Sequence, residues 1–438
     1  MSLQAGVAVR DISPRKPLFL VGYPHVPRTS TGLHDALLAS ALFLSDGKTS
    51  LLLISVDVLF ITRESAKLCR EAIASACGVP TANILIGATH THSAPLTASV
   101  LAWRDDPVIP PPDAEYMAQF HDGIIQAAIE ACEAARPAQL AITRAHVEGV
   151  GSNRLAPDGP FNPEAGLLVI RSENRPLAVS VIYGMHPTVL HEDSTLVSSD
   201  FPHFTREQIR AAFPGVTTVY HTGVCGNLSP RYHVRGQTFA EAERLGRKLG
   251  DQVVSAITKL HATDFRDDIS LAATQGEAEL LPNHFPTVNE AVAALQQARE
   301  NFERLKREGA AHGPLRTAEC IVFGCEEGLT LAMAQVTGET AHLQENYRRA
   351  EVQVFRIGDT FIVGFPGEQF VEYALELKRL APGRTFIVSL ANGELQGYIV
   401  TPGAPNQMCY EAAFSLFAAE SGLRLLDSAL RLIKELKP

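Results

Sequence analysis

A mixed α/β fold, with mixed β-sheets flanked by helices, is predicted by three observations. Short apolar runs of strand length alternate with longer segments of helical period, and several of those runs end in polar residues. The first two runs are joined through Asp46-Gly47, a tight-turn signal that makes them antiparallel neighbours.

In order, Leu38 to Leu44 and Leu51 to Leu59 flank Asp46-Gly47-Lys48-Thr49 as a hairpin. Arg63 to Cys77 reads as a helix closed by Gly78 and Pro80, and Asn83 to Thr89 as the next strand. Tyr116 to Ala135 is a second helix, stopped by Pro137. Strands at Leu167 to Ile170 and Leu177 to Tyr183 lead to His186, and a helix from near Pro202 leads to a strand at Val216 to His221. Thr238 with Glu241, and Thr287 with Glu290, have capping-box spacing before long helical stretches. Beyond them come apolar stretches at Leu329 to Val336, Glu351 to Ile357 and Thr360 to Phe365, a helix from Gly367, a strand at Thr385 to Leu390 and a terminal helix from about Ala413. No repeat or low-complexity linker is visible. One domain over residues 1–438 is expected, with an exposed helical insertion at 282–314.

Composition narrows the function classes. With 438 residues, 46% hydrophobic and 20% charged, the chain can bury a large core like an ordinary globular enzyme or binding protein. Lys plus Arg is 38 against 48 for Asp plus Glu, a net charge of -10 with no basic run, which argues against nucleic acid as a partner. No stretch approaches the roughly 18 apolar residues of a transmembrane segment. The start lacks a basic end followed by an apolar core, so a cytoplasmic location is expected for the chain as it stands. Met1-Ser2-Leu3 also reads as a vector scar, which leaves secretion open if a leader was removed. The cysteines, seven in all and dispersed, read as mostly reduced and buried rather than as a disulfide frame or zinc knuckle.

His90, in Ala88-Thr89-His90-Thr91-His92-Ser93, ends the run Ile84-Leu85-Ile86. In extended backbone, positions two apart face the same way, so His90 and His92 leave one strand end together. That places a metal ligand and an acid/base group in one cleft, or simply caps a strand with polar residues. His186-Pro187-Thr188 puts another imidazole at a strand mouth, where a hydrogen-bonded core histidine would also fit. Asp200 reads as an N-cap. Gly223-Val224-Cys225-Gly226-Asn227-Leu228-Ser229-Pro230 has small residues that let backbone approach a ligand. In Phe365-Pro366-Gly367-Glu368, helix dipole and capping account for the carboxylate, and Tyr398 and Tyr410 lie in an irregular segment where aromatics cover a core. Singly, each reading favours structure; their order along the chain does not.

Together these segments resemble the catalytic domain of the neutral/alkaline, non-lysosomal ceramidase family. The resemblance begins at Gly6-Val7-Ala8-Val9-Arg10-Asp11-Ile12-Ser13-Pro14 and runs through Gly32-Leu33-His34-Asp35 and Ser55-Val56-Asp57. It takes in Ala88 to Pro95, Asn153-Arg154, Tyr183 to Thr188, Ser198-Ser199-Asp200, Gly226 to Pro230, Pro366 to Glu368, and Tyr398 through Tyr410-Glu411. It implies a Zn2+ held by His90, His186, Glu368 and Tyr398, with His92, Arg154 and Tyr410 lining the reacting centre and Ser229 beside it.

The activity so implied is hydrolysis of an N-acyl amide, ceramide or a smaller relative, with zinc lowering the pKa of its bound water towards roughly 7. Arg154 and Tyr410 would donate to the oxyanion, each worth about 3 kcal/mol, and His92 would carry the proton to the leaving nitrogen. Ser229 would be a nucleophile or, as preferred here, a substrate hydrogen-bond donor. The implied partner is a small-molecule or lipid-like substrate from sphingolipid metabolism; a homo-oligomer stays open.

Departures from the family pattern weigh on the substrate. Ser93-Ala94-Pro95-Leu96-Thr97 replaces a Gly-rich stretch, Asn227 replaces an acidic residue, and the C-terminal immunoglobulin-like domain is expected to be absent. A smaller amide, or an ester, lactone or glycosidic bond, would suit the same chemistry, and 282–314 would then be a lid or an oligomer contact. An amidohydrolase barrel also uses His-x-His, but the hairpin at Asp46-Gly47 argues against its regular βα repeat. A non-catalytic binding protein on the same scaffold is the remaining rival.

Overall fold

Residues 2–23, 26–104, 106–404 and 409–436 are described by the computed structural model. The first sheet comprises β1 (Gln4–Asp11), β2 (Leu38–Ser45), β3 (Ser50–Val56) and β4 (Ile84–Ala88), with Arg136–Pro137 on the outer edge of β1. β1, β2 and β3 are antiparallel in turn, and α1 (Arg63–Cys77) then carries the chain to β4, parallel to β3. The predicted hairpin forms: Asp46 Oδ1 accepts from the Lys48 and Thr49 N–H groups at 2.8 Å, and Gly47 has φ 82°. α1 also has its predicted bounds, starting after Thr62, whose hydroxyl accepts from Ser65 N–H, and stopping at Gly78 with φ 69°. α2 (Ala114–Glu133) covers the same sheet.

The same connectivity recurs twice, although no repeat is legible in the residues. β5 (Gln139–His146), β6 (Glu164–Ser172) and β7 (Arg175–Tyr183) are antiparallel in turn, and α3 (Phe201–Ala212) crosses to β8 (Thr217–Thr222), parallel to β7. α4 (Phe239–Ile257) lies with α3 on the outer face of this sheet. In the third sheet, β9 (Leu271–Glu279) is followed by three helices, α5 (Val288–Arg307), α6 (His312–Thr337) and α7 (Glu339–Tyr347), before β10 (Arg349–Ile357) pairs with it. β11 (Thr360–Gly364) follows antiparallel to β10, and α8 (Val371–Leu380) crosses to β12 (Arg384–Val388), parallel to β11.

Inner faces of all three sheets meet in one core that includes Leu53, Leu85, Leu168, Ile182, Ile362 and Phe386. Each such side chain contributes roughly 1.5–3 kcal/mol by leaving water. Helices cover the outer faces, so the crossover strands are buried on both sides, and most read as near-continuous apolar runs.

Several segments differ from expectation. Leu329 to Val336 is the end of α6: Glu327, Thr330, Leu331 and Ala334 are buried while Met333 and Val336 are exposed, a helical period hidden in an apolar run. β5 and β9 escaped notice because much of their surface is half-exposed and polar. The helix expected from Gly367 begins at Val371, because Glu368–Gln369 pairs as a parallel two-residue strand with Tyr398–Ile399. The terminal helix, α10 (Ser421–Glu435), starts later than Ala413, which ends the short α9 (Tyr410–Ala413). Thr287 and Glu290 form both halves of their capping box; Thr238 makes only its own half, since the Glu241 carboxylate accepts from Arg235 N–H. All seven cysteines are free, and no helix among the described residues is long and apolar enough to cross a membrane.

Candidate metal centre

Each sheet delivers one buried group just past the carboxyl end of a crossover-pair strand, the place where α/β sheets gather ligands. His90 follows β4, His186 follows β7 and Glu368 follows β11. A closed set of hydrogen bonds ties the three sheet ends together: Thr222 Oγ1 donates to the Thr89 carbonyl at 2.6 Å, Ser389 N–H to the Thr222 carbonyl at 3.0 Å, and Ala88 N–H to the Leu390 carbonyl at 3.2 Å.

His90 is not extended as expected. Its φ of 68° lies in the left-handed region, a conformation that costs a non-glycine residue about 1–3 kcal/mol and clusters at functional sites. A turn therefore brings His90 and His92 together, with ring centroids 4.9 Å apart; His90 and His186 are at 4.7 Å. Gly22 is required beside His92, because a Cβ there would lie 2.6 Å from the ring. Gly226 lets its loop pack on the backbone of Gln369, rather than on a ligand as the sequence suggested.

The imidazole orientations follow from their acceptors. Nδ1 of His90 is 2.9 Å from the Leu59 carbonyl, Nδ1 of His186 is 2.8 Å from that of Cys225, and Nδ1 of His92 is 2.9 Å from that of Gly22. A carbonyl only accepts, so each Nδ1 carries a hydrogen, and in the uncharged form of each ring Nε2 is the bare nitrogen. Those nitrogens converge, the candidate ligand atoms of His90, His92 and His186 lying within 4.8 Å of one another. Glu368 Oε2 is 3.0 Å from Nε2 of His186 and 3.2 Å from Nε2 of His90.

Burial and the Arg154 charge push His186 down to about 4, so it is neutral at pH 7. Burial and the neighbouring imidazoles likewise hold His92 well below its ordinary value. Nε2 of both His90 and His92 is buried without a hydrogen-bond partner. Lone pairs facing an ionised carboxylate repel unless a cation lies between them, and second-row carbonyls fixing each Nδ1 are the usual support of a metal-binding histidine. The donor set fits Zn2+, which takes imidazole nitrogen and carboxylate oxygen.

Tyr398 is held beside Glu368 by direct strand pairing. Its hydroxyl accepts from Arg154 Nη2 at 3.1 Å, and Arg154 Nε donates to Glu411 at 2.5 Å. Burial lowers Arg154, but Glu411 and Tyr398 more than offset this. Tyr410 packs edge-on to Tyr398, with centroids 5.7 Å apart. His92, Arg154, Ser229, Tyr398 and Tyr410 all line one cavity of about 80 Å³, so the eight residues singled out in the sequence come together. Asn227 is structural: its side chain accepts from Val371 N–H at 2.8 Å and donates to Glu372 at 2.9 Å. Asp200 is the expected N-cap, accepting from the Phe201, Val189 and Leu190 N–H groups.

Some neighbours went unforeseen. Glu327 of α6 accepts from Trp103 Nε1–H at 2.8 Å and is approached by the Tyr410 phenol; burial pushes it up to about 8. Its only sequence signal is an acid amid small and apolar residues. Arg231, Arg316, His191 and His312 complete the polar wall of the cavity.

The family model described as neutral/alkaline non-lysosomal ceramidase, N-terminal, matches residues 3–206. Neutral ceramidase A of Dictyostelium discoideum is 26% identical over 222 residues, a match covering 45% of this chain and 30% of that protein's length. A solved structure described as ceramidase complexed with C2 superposes with a TM-score of 0.77 at 15% identity, covering 100% of this chain and 75% of that one. Neutral ceramidase from Pseudomonas aeruginosa gives 0.75 at 16% identity, with the same coverage of both chains. Residues 3–206 thus match the neutral/alkaline non-lysosomal ceramidase family, and the chain as a whole has the neutral ceramidase fold.

Proposed function

We propose that the protein is a zinc-dependent hydrolase that cleaves an N-acyl amide bond, in ceramide or in a smaller amide. The observation carrying this reading is the convergence of His90, His186 and Glu368 from three sheets, with bare imidazole nitrogens turned to a carboxylate. The family of residues 3–206 points to the same bond, as do the names of the structural neighbours. His90, His186, Glu368 and Tyr398 would hold the ion, which when bound supplies a Lewis acid and an acidified water.

The remaining steps fall to side chains. His92 Nε2, unpartnered and unprotonated, takes the proton of the attacking water and passes it to the leaving nitrogen as the C–N bond breaks and the new C–O bond forms. Arg154 and the Tyr410 phenol stabilise the oxyanion, about 3 kcal/mol each. Ser229, whose Oγ accepts from Arg231 N–H at 3.3 Å, is placed to hydrogen-bond the substrate.

Metal analysis with chelation tests this. Purified protein is expected to hold near-stoichiometric zinc, to lose amidase activity on exhaustive chelation and to regain it with added Zn2+. Full activity in protein shown to be metal-free would refute the mechanism; no zinc uptake under reconstituting conditions would favour a binding scaffold.

A further inference from the structure

Among the described residues, three arginines and three histidines line the cavity, namely Arg154, Arg231, Arg316, His92, His191 and His312, and no carboxylate does. Two of the arginines have their charges matched. Arg316 Nη1 is 2.9 Å from Glu192 and 2.6 Å from Glu319, and Arg154 is paired with Glu411. Arg231 is different. Its Nη1 donates to the Arg154 carbonyl at 3.3 Å and to Thr317 Oγ1 at 3.0 Å, and its Nη2 to Cys320 Sγ at 3.3 Å.

None of those acceptors is a carboxylate, and no carboxylate pairs with Arg231 among the described residues. The three bonds fix the guanidinium while leaving Nε–H and one Nη2 hydrogen, the edge of the fork that grips an oxyanion with two parallel bonds. Behind the wall, Arg28 is a further buried cation that, among the described residues, donates to carbonyls, those of Leu20, Val21, His92, His191 and Ser194. An entering oxyanion supplies the counter-charge that Arg231 lacks.

We propose that Arg231 anchors an anionic group of the substrate, so that the amide cleaved joins an acyl chain to an amine bearing a carboxylate or another oxyanion. The anchor lies two residues from Ser229, so the anion belongs to the part of the substrate near the scissile bond. This assignment rests on the amide-hydrolase reading above and narrows its substrate class. A neutral sphingoid head would leave Arg231 without a counter-charge.

The test compares kcat/KM of the zinc-loaded full chain for N-octanoylglycine, N-octanoyl phosphoethanolamine and N-octanoylglycine methyl ester, with calorimetric binding of each to metal-stripped protein. The charged substrates are expected to exceed the ester by about 10–100-fold, the range one charge-assisted pair supports, and the better of the two identifies the oxyanion. Arg231→Gln should bring that ratio to within about threefold of unity, and Arg231→Lys should restore part of it. Equal kcat/KM for glycine conjugate and ester in the unmodified protein would overturn the anchor and leave the hydrolase standing. Absence of turnover with anion-selective binding that Arg231→Gln abolishes would overturn the hydrolase and uphold the anchor; absence of both would overturn both.

Discussion

Replacing Glu368 with Gln separates a metal ligand from an ordinary buried acid. Oε2 lies 3.0 and 3.2 Å from two imidazole nitrogens whose Nδ1 atoms are already committed to carbonyls. In metal-free protein the amide can donate where the carboxylate could only accept, so Glu368→Gln should change apo stability by no more than about 1 kcal/mol. With zinc the balance reverses. Two unit charges 4 Å apart at an effective dielectric near 20 interact by about 4 kcal/mol, which is about a thousandfold in affinity. Zinc at about a hundred times its Kd stabilises the unmodified protein by roughly 2.7 kcal/mol, whereas a thousandfold weaker site gains only about 0.1 kcal/mol at that concentration. Scanning calorimetry with and without Zn2+ should therefore show a zinc-induced rise in Tm of a few degrees that Glu368→Gln abolishes. An equal zinc-induced shift in both proteins would refute the assignment of this carboxylate, as would a large loss of stability confined to the metal-free variant.

Two further outcomes test the supports of the site. Thr222→Val removes the hydroxyl that bridges the first and second sheets at the Thr89 carbonyl, and should cost about 1–3 kcal/mol in denaturant unfolding and weaken zinc binding, because the ligand loops lose their common tie. An unchanged midpoint would show that the ring of bonds is dispensable. Glu327 is raised by burial to about 8, so the folded state binds its proton more tightly than the unfolded chain does. Its contribution is complete below its unfolded value near 4.5 and is lost as pH rises through 8. Glu327→Gln should flatten the stability profile over that window, with the largest relative gain near pH 8; an identical slope in both proteins would sink the assignment.

Local structure was largely legible in the residues. The Asp46-Gly47 turn, the Thr62 and Gly78 boundaries of α1 and the capping box at Thr287 came out as read, because each depends on hydrogen bonds and backbone preferences within a few residues. The ligand candidates His90, His186 and Glu368 came only from the family resemblance, although each follows a buried strand, where local pattern alone favoured capping or core packing. The residues did not reveal that β4, β7 and β11 belong to three separate sheets of one connectivity, since that likeness lies in pairing order.

Tertiary packing decided the rest. The left-handed turn at His90, the pairing of Glu368 with Tyr398, and the approach of α6 that brings Arg316 to the cavity and Glu327 against Tyr410 all join segments far apart in the chain. Turn chemistry, caps and periodicity act over one or two turns of backbone, so most elements and the polar groups at their ends could be read from the residues. Which ends share a centre depends on how three sheets bury their inner faces against one another, and only the folded chain expresses that choice.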